Sequence, residues 1–116
     1  MFGWAAVILV LTSWPAPPTI APRVTGIDKV AHFAVYAMLG YLVSKALRAP
    51  AEWPARLNAI TAMAVFAFVD ELHQLVIPGR EASVWDWAAD LIGATAGLLL
   101  GLHLLSLARA RQDLPT

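Results

Sequence analysis

Apolar residues along this chain fall into four blocks: Phe2 to Trp14, Val30 to Leu47, Leu57 to Ile77 and Trp85 to Ala108. Crossing the hydrocarbon core of a bilayer takes about 20 mostly apolar residues. The last three blocks meet that length, while the first, with 13 residues, is short. The breaks between them have physical causes. Pro15, Pro17, Pro18 and Pro22 cannot continue a helix, so residues 15–26 read as an extended connector. Ala49-Pro50 to Pro54 closes the second block and opens the third. Pro78-Gly79 stops the third, and Ser83 is placed to cap the fourth. The pattern predicts an all-α, polytopic membrane protein, a four-transmembrane-helix bundle whose first helix is short. An alternative for that first block is a signal peptide, but it has no basic n-region, and Trp14-Pro15 is a poor cleavage context. A retained helix is therefore expected.

Composition agrees. The 116 residues are 59% hydrophobic and 14% charged, against roughly 45–50% and roughly 25% in soluble domains. The length suits one compact domain spanning 1–116. Lys plus Arg equals Asp plus Glu at 8 each, so no basic field attracts nucleic acid. The absence of cysteine excludes disulfides, zinc–thiolate sites and cysteine nucleophiles. No glycine-rich phosphate loop or dinucleotide fingerprint occurs.

Cationic residues near the block ends set the expected orientation. Lys45, Arg48, Arg56, Arg109 and Arg111 fall at one end of a four-span bundle, and Arg23, Lys29 and Arg80 at the other. Five against three favours both termini in the cytoplasm. Trp85 and Trp87 read as interface-belt anchors, with Trp4, Trp14 and Trp53 in the same class.

Three separate pieces of chain bring polar groups to one depth. Asp28, Lys29 and His32 enter the second block. Asp70, Glu71, His73 and Gln74 lie in the last turns of the third, and Arg80, Glu81, Asp86 and Asp90 lead into the fourth. Asp28 and His32 are four apart and share a helix face, as do Asp86 and Asp90, while Glu71 and Gln74 are three apart. The Asp86–Asp90 face continues through Gly93, Gly97 and Gly101, a small-residue stripe that lets helix backbones approach, with Ala37, Gly40 and Ser44 as a matching seam. The two aspartates thus belong to a packed face. A charge at the bilayer centre costs about 2.5–3.5 kcal/mol on insertion scales, so Asp70, Glu71 and Asp90 need partners. Lys29 and Arg80 are the cationic candidates, and His32 and His73 the titratable ones. Snorkelling and capping account equally well for Glu81 or Lys29 taken singly. His103 stands alone and reads as structural.

These residues resemble the VanZ-like family of small bacterial membrane proteins. The family's Asp-Lys-x-x-His-Phe element reads here Asp28-Lys29-Val30-Ala31-His32-Phe33. Its Glu-x-x-Gln, followed by Arg and then Asp, reads Glu71, Gln74, Arg80 and Asp86. Many members carry Asn four residues later, where this chain has Asp90, adding a carboxylate. The resemblance covers about residues 26–101. It implies a multi-pass protein of the bacterial cytoplasmic (inner) membrane. It also implies an association with antibiotic resistance, the founding member's low-level resistance to teicoplanin, and it supplies no reaction.

Three functional classes follow. The first is a cell-envelope binding protein whose cluster (Asp28, Lys29, His32, Glu71, Gln74, Arg80, Asp86, Asp90) holds the head group of an envelope lipid, a lipid-linked precursor or a lipoglycopeptide. Lys29 and Arg80 would hold phosphate or carboxylate in that reading. The second is an accessory subunit of a larger membrane complex. The third is a membrane enzyme acting on a lipid phosphate, with acid–base groups or a divalent cation on Glu71, Asp86 and Asp90. No other cofactor is expected, and no catalytic residue is assigned.

Overall fold

The computed structural model of the chain describes residues 1–13, 25–47, 52–79 and 82–115, with only the backbone at 25–28. Among the described residues there are four helices and no strands: α1 (Phe2–Ser13), α2 (Thr25–Leu47), α3 (Trp53–Gln74) and α4 (Val84–Gln112). The predicted connector at 15–26 lies mostly outside this set.

The helix ends follow from local chemistry. Glu52 takes an extended conformation before α3, with Pro54 in the first turn, where a missing N–H costs nothing. The Glu52 carbonyl accepts from Arg56 N at 3.1 Å, starting the helical ladder. Ser83 caps α4, its hydroxyl accepting from Asp86 N at 3.4 Å. The third helix ends at Gln74, three residues before the predicted Ile77. Leu75, Val76 and Ile77 donate instead to Leu72, His73 and Gln74 carbonyls at 3.2 Å, the tighter i→i+3 pattern. Pro78 disfavours helical geometry at Ile77. Gly79 follows with φ 78°, a left-handed conformation that glycine adopts without a Cβ penalty.

Helices α2 and α4 run parallel and make the closest approach in the molecule. A Cβ on Gly97 would collide with the Ala37 carbonyl, and one on Gly40 with the Ala94 carbonyl. Phe33 meets Gly93 and Ser44 meets Gly101 in the same register. The predicted seam therefore exists, backbone against backbone. Around it pack Tyr36, Leu39 and Val43 from α2, Ala94, Leu98 and Leu102 from α4, Met63 and Ala67 from α3, and Ile8 from α1. Trp87 donates its indole N–H to Ala64 O at 3.2 Å, tying α4 to α3, and Trp4 donates to Val35 O at 2.9 Å, tying α1 to α2. These two tryptophans are helix ties rather than the interface anchors expected of them. Trp85 and Trp53, 74% and 63% exposed, keep the outward placement.

Among the described residues, two helices are long and apolar enough to cross a membrane, over Lys29–Leu47 and Val84–Gln112. Helix α3 has the length but carries Arg56, Asn58, Asp70 and Glu71 within its 22 residues, and α1 has 12. The third expected span therefore has the length but, with those polar residues, does not qualify as a span by its own composition.

Candidate functional site

Of the polar residues singled out by spacing, Lys29, His32, Glu71, Gln74, Asp86 and Asp90 lie together among the described residues. The N-terminal ends of α2 and α4 and the C-terminal ends of α1 and α3 meet at one end of the bundle, bringing side chains 58 residues apart in sequence into hydrogen-bond distance. Asp70, Glu71, Gln74, Asp86 and Asp90 are all buried there, Asp70 and Asp90 completely.

His32 is the centre of the arrangement. Its Nδ1 lies 2.8 Å from Asp90 Oδ1 and 3.9 Å from Glu71 Oε1. On the other edge of the ring, Nε2 faces Asp86 Oδ2 at 4.0 Å. The imidazole thus sits among three carboxylates drawn from α3 and α4. Asp86 also receives Lys29 Nζ at 3.3 Å from α2. The Lys29 side chain is 43% exposed, so that pair is screened by solvent and worth little by itself.

Glu71 is held from two sides. The Ser83 backbone N–H donates to Oε2 at 3.0 Å, and Gln74 Nε2 donates to Oε1 at 3.3 Å. Ser83 therefore does two things, capping α4 and, through its own N–H, anchoring Glu71 of α3. Asp70 is satisfied separately. Thr12 of α1 donates to Oδ1 at 2.6 Å and Tyr36 of α2 donates to Oδ2 at 3.0 Å. This is a three-helix tie, and it fastens the short first helix to the bundle. Ser13 Oγ and His73 Nε2, 2.9 Å apart, add a second, exposed link between α1 and α3.

Asp90 is different. It is completely buried, and its Oδ2 has no hydrogen-bond partner among the described residues. Buried carboxylate oxygens are almost always satisfied. The cluster is also unbalanced: four carboxylates, Asp70, Glu71, Asp86 and Asp90, stand against Lys29 and His32 among the described side chains. The side chain of Asp28 and all of Arg80 and Glu81 lie outside the described residues.

Among the described residues, three metal-capable side chains, His32, Glu71 and Asp90, bring donor atoms within 4.8 Å of one another. Of the carboxylates proposed as ligands from sequence, Asp86 lies across the imidazole from the other two. The sequence reading missed Thr12 and Tyr36. Tyr36 was findable, since it follows His32 by four and extends the same helix face. Thr12 carried no signal in a short, uniformly apolar block.

Beside the cluster, a cavity of about 290 Å³ opens between α1 and α2. Ile8, Leu11, Ala31 and Val35 give it apolar walls, and His32, Thr12 and Tyr36 give it a polar edge.

Fold and site together define a small all-helical protein that has, among its described residues, two span-length apolar helices and a buried site with four carboxylates at one end of the bundle. A family model described as VanZ/LLP1 matches residues 2–106, and the chain belongs to that family. No curated protein and no solved structure matches it.

Proposed function

We propose that this VanZ/LLP1 protein is a four-span protein of the bacterial inner membrane, with both termini cytoplasmic, that binds an amphiphile of the cell envelope. The polar head group, from an envelope lipid, a lipid-linked precursor or a lipoglycopeptide, engages the cluster around His32 and Glu71. The apolar tail enters between α1 and α2. One observation carries this reading: the apolar cavity meets the buried polar cluster at His32, so a single molecule with a charged end and a hydrocarbon end fits both. Ligand pockets of this kind combine apolar walls with a few convergent polar groups.

Membrane placement has its own support. Val30, Leu57, Val65, Phe68, Ile92 and Leu100 face outwards while Asp70, Glu71, Asp86 and Asp90 face inwards. That inversion suits a hydrocarbon solvent. Among the described residues, only α2 and α4 are apolar enough to be spans individually. In this reading α3 crosses because its acids are covered by α1, α2 and α4.

The test is a binding titration of the full chain in detergent micelles against a long-chain lipid phosphate, an anionic phospholipid and teicoplanin. The binding protein saturates with at least one of them. Arg80→Ala, Glu71→Gln and the cavity-filling Ala31→Trp each weaken that binding about tenfold, or about 1.4 kcal/mol. Binding that is absent for all three probes, or unchanged in all three variants at unaltered helicity, overturns the proposal. Stable co-purification with a large assembly, with the cluster inert to substitution, would instead favour an accessory subunit.

A further inference from the structure

We infer that His32, Glu71 and Asp90 form a binding site for a first-row divalent transition-metal ion of the Zn²⁺ type. Each ligand comes from a different helix, α2, α3 and α4, the usual way a helical bundle builds a metal centre. One donor atom from each lies within 4.8 Å of the others. Bonds of 2.0–2.2 Å to a tetrahedral ion place ligand atoms about 3.3–3.5 Å apart. The separations from His32 Nδ1, 2.8 Å to Asp90 Oδ1 and 3.9 Å to Glu71 Oε1, bracket that value. Side-chain rotations that shift these atoms by about 0.5–0.6 Å would bring both pairs into range, and the widest separation in the trio, within 4.8 Å, would close by up to about 1.4 Å.

A second, independent observation points to a ligand. Asp90 Oδ2 is buried and unpartnered, on a residue with no exposed surface. A cation held by both carboxylate oxygens of Asp90 would supply the missing partner. Two carboxylates also neutralise a divalent charge. The imidazole favours zinc, iron, nickel or copper over magnesium or calcium, which prefer all-oxygen sets.

The surroundings match the outer support that metal ligands need. With Nδ1 on the ion, His32 Nε2 faces Asp86 Oδ2 at 4.0 Å, an ion-pair distance longer than a hydrogen bond, and Asp86 pairs with Lys29 at 3.3 Å. Glu71 is oriented by Gln74 and by the Ser83 N–H. Asp86 therefore has an orienting role rather than a ligating one. Three protein ligands leave a fourth position open for water or for an oxygen of a bound head group. The metal site shares its residues with the amphiphile reading but does not depend on it.

The full chain, purified in detergent and stripped with a chelator, is titrated with Zn²⁺ against a chromophoric competitor, with no lipid added. One equivalent binds per chain. His32→Ala and Asp90→Asn each lower the affinity about a hundredfold. Asp86→Asn lowers it about tenfold, the size expected when an orienting partner is removed. His103→Ala, at an exposed histidine, leaves it unchanged. Co²⁺ loaded into the unmutated chain gives visible absorption of a four-coordinate nitrogen–oxygen site, a readout that needs no variant to fold. No saturable binding of Zn²⁺ or Co²⁺ by the unmutated chain overturns the site, as does equal loss on His103→Ala. Metal bound normally while every amphiphile fails refutes the head-group reading alone, and the converse result refutes only the metal site.

Discussion

Adding one methyl group at Gly93 should loosen the whole site. Gly93 lies on α4 one turn beyond Asp90, and a Cβ there would collide with the Phe33 carbonyl, the residue after His32. The obstacle is backbone, so no side chain can rotate away. To restore a C···O separation of about 3.3 Å, the two helices must part locally by roughly 1 Å. The 2.8 Å contact between His32 and Asp90 would then stretch beyond hydrogen-bond range. Overpacking costs about 1–3 kcal/mol, and a lost hydrogen bond to a charged group about 1.5–3 kcal/mol. Alanine returns about 1 kcal/mol of helix propensity. Gly93→Ala should therefore destabilise the protein by about 1.5–5 kcal/mol. Gly3→Ala, at a position with nothing within 4 Å, meets no such obstacle and serves as the control. Thermal and denaturant unfolding in detergent, followed by circular dichroism, measures both. A Gly93→Ala protein as stable as its parent would mean that α2 and α4 do not touch backbone to backbone, and would refute the packing argument.

Other expectations follow from single contacts. Tyr36→Phe and Thr12→Val each remove one of the two donors to the buried Asp70, and each should cost about 1–3 kcal/mol in unfolding free energy. The Thr12 change should also free α1, read as faster proteolysis near the N-terminus. Ser83→Ala removes the α4 cap and should cost about 1 kcal/mol, with Ser83→Gly milder, while either keeps the backbone N–H that holds Glu71. Unchanged melting of Ser83→Ala would rule out the cap. For topology, reporters fused at the C-terminus and inserted near Gly79 should report opposite sides of the membrane, cytoplasmic at the C-terminus. The same side for both would contradict an α4 that crosses.

Local rules account for a large share of what was legible in the chain. Proline placement marked the helix breaks, Ser83 marked the α4 cap, and the four-residue spacing of Gly93, Gly97 and Gly101 marked the seam against Ala37, Gly40 and Ser44. The same spacing put Asp86 with Asp90 on an inward face, and the three-residue step put Glu71 with Gln74 on another. These features depend on neighbours within one helical turn, so the sequence alone determines them.

What the tertiary structure decided depends on how the helices are rotated against one another, which no local period encodes. It turned Trp87 and Trp4 inward onto the carbonyls of Ala64 and Val35. It joined Asp70 to Thr12 across 58 residues, where the short first helix carried no polar periodicity to suggest it. It also turned the His32 ring so that Glu71 and Asp90 lie on its Nδ1 side and Asp86 on its Nε2 side. The sequence could place three carboxylates and a histidine at one depth. Only the packing of α2 against α3 and α4 could say which of them share an imidazole nitrogen, and leave one oxygen of Asp90 without a partner.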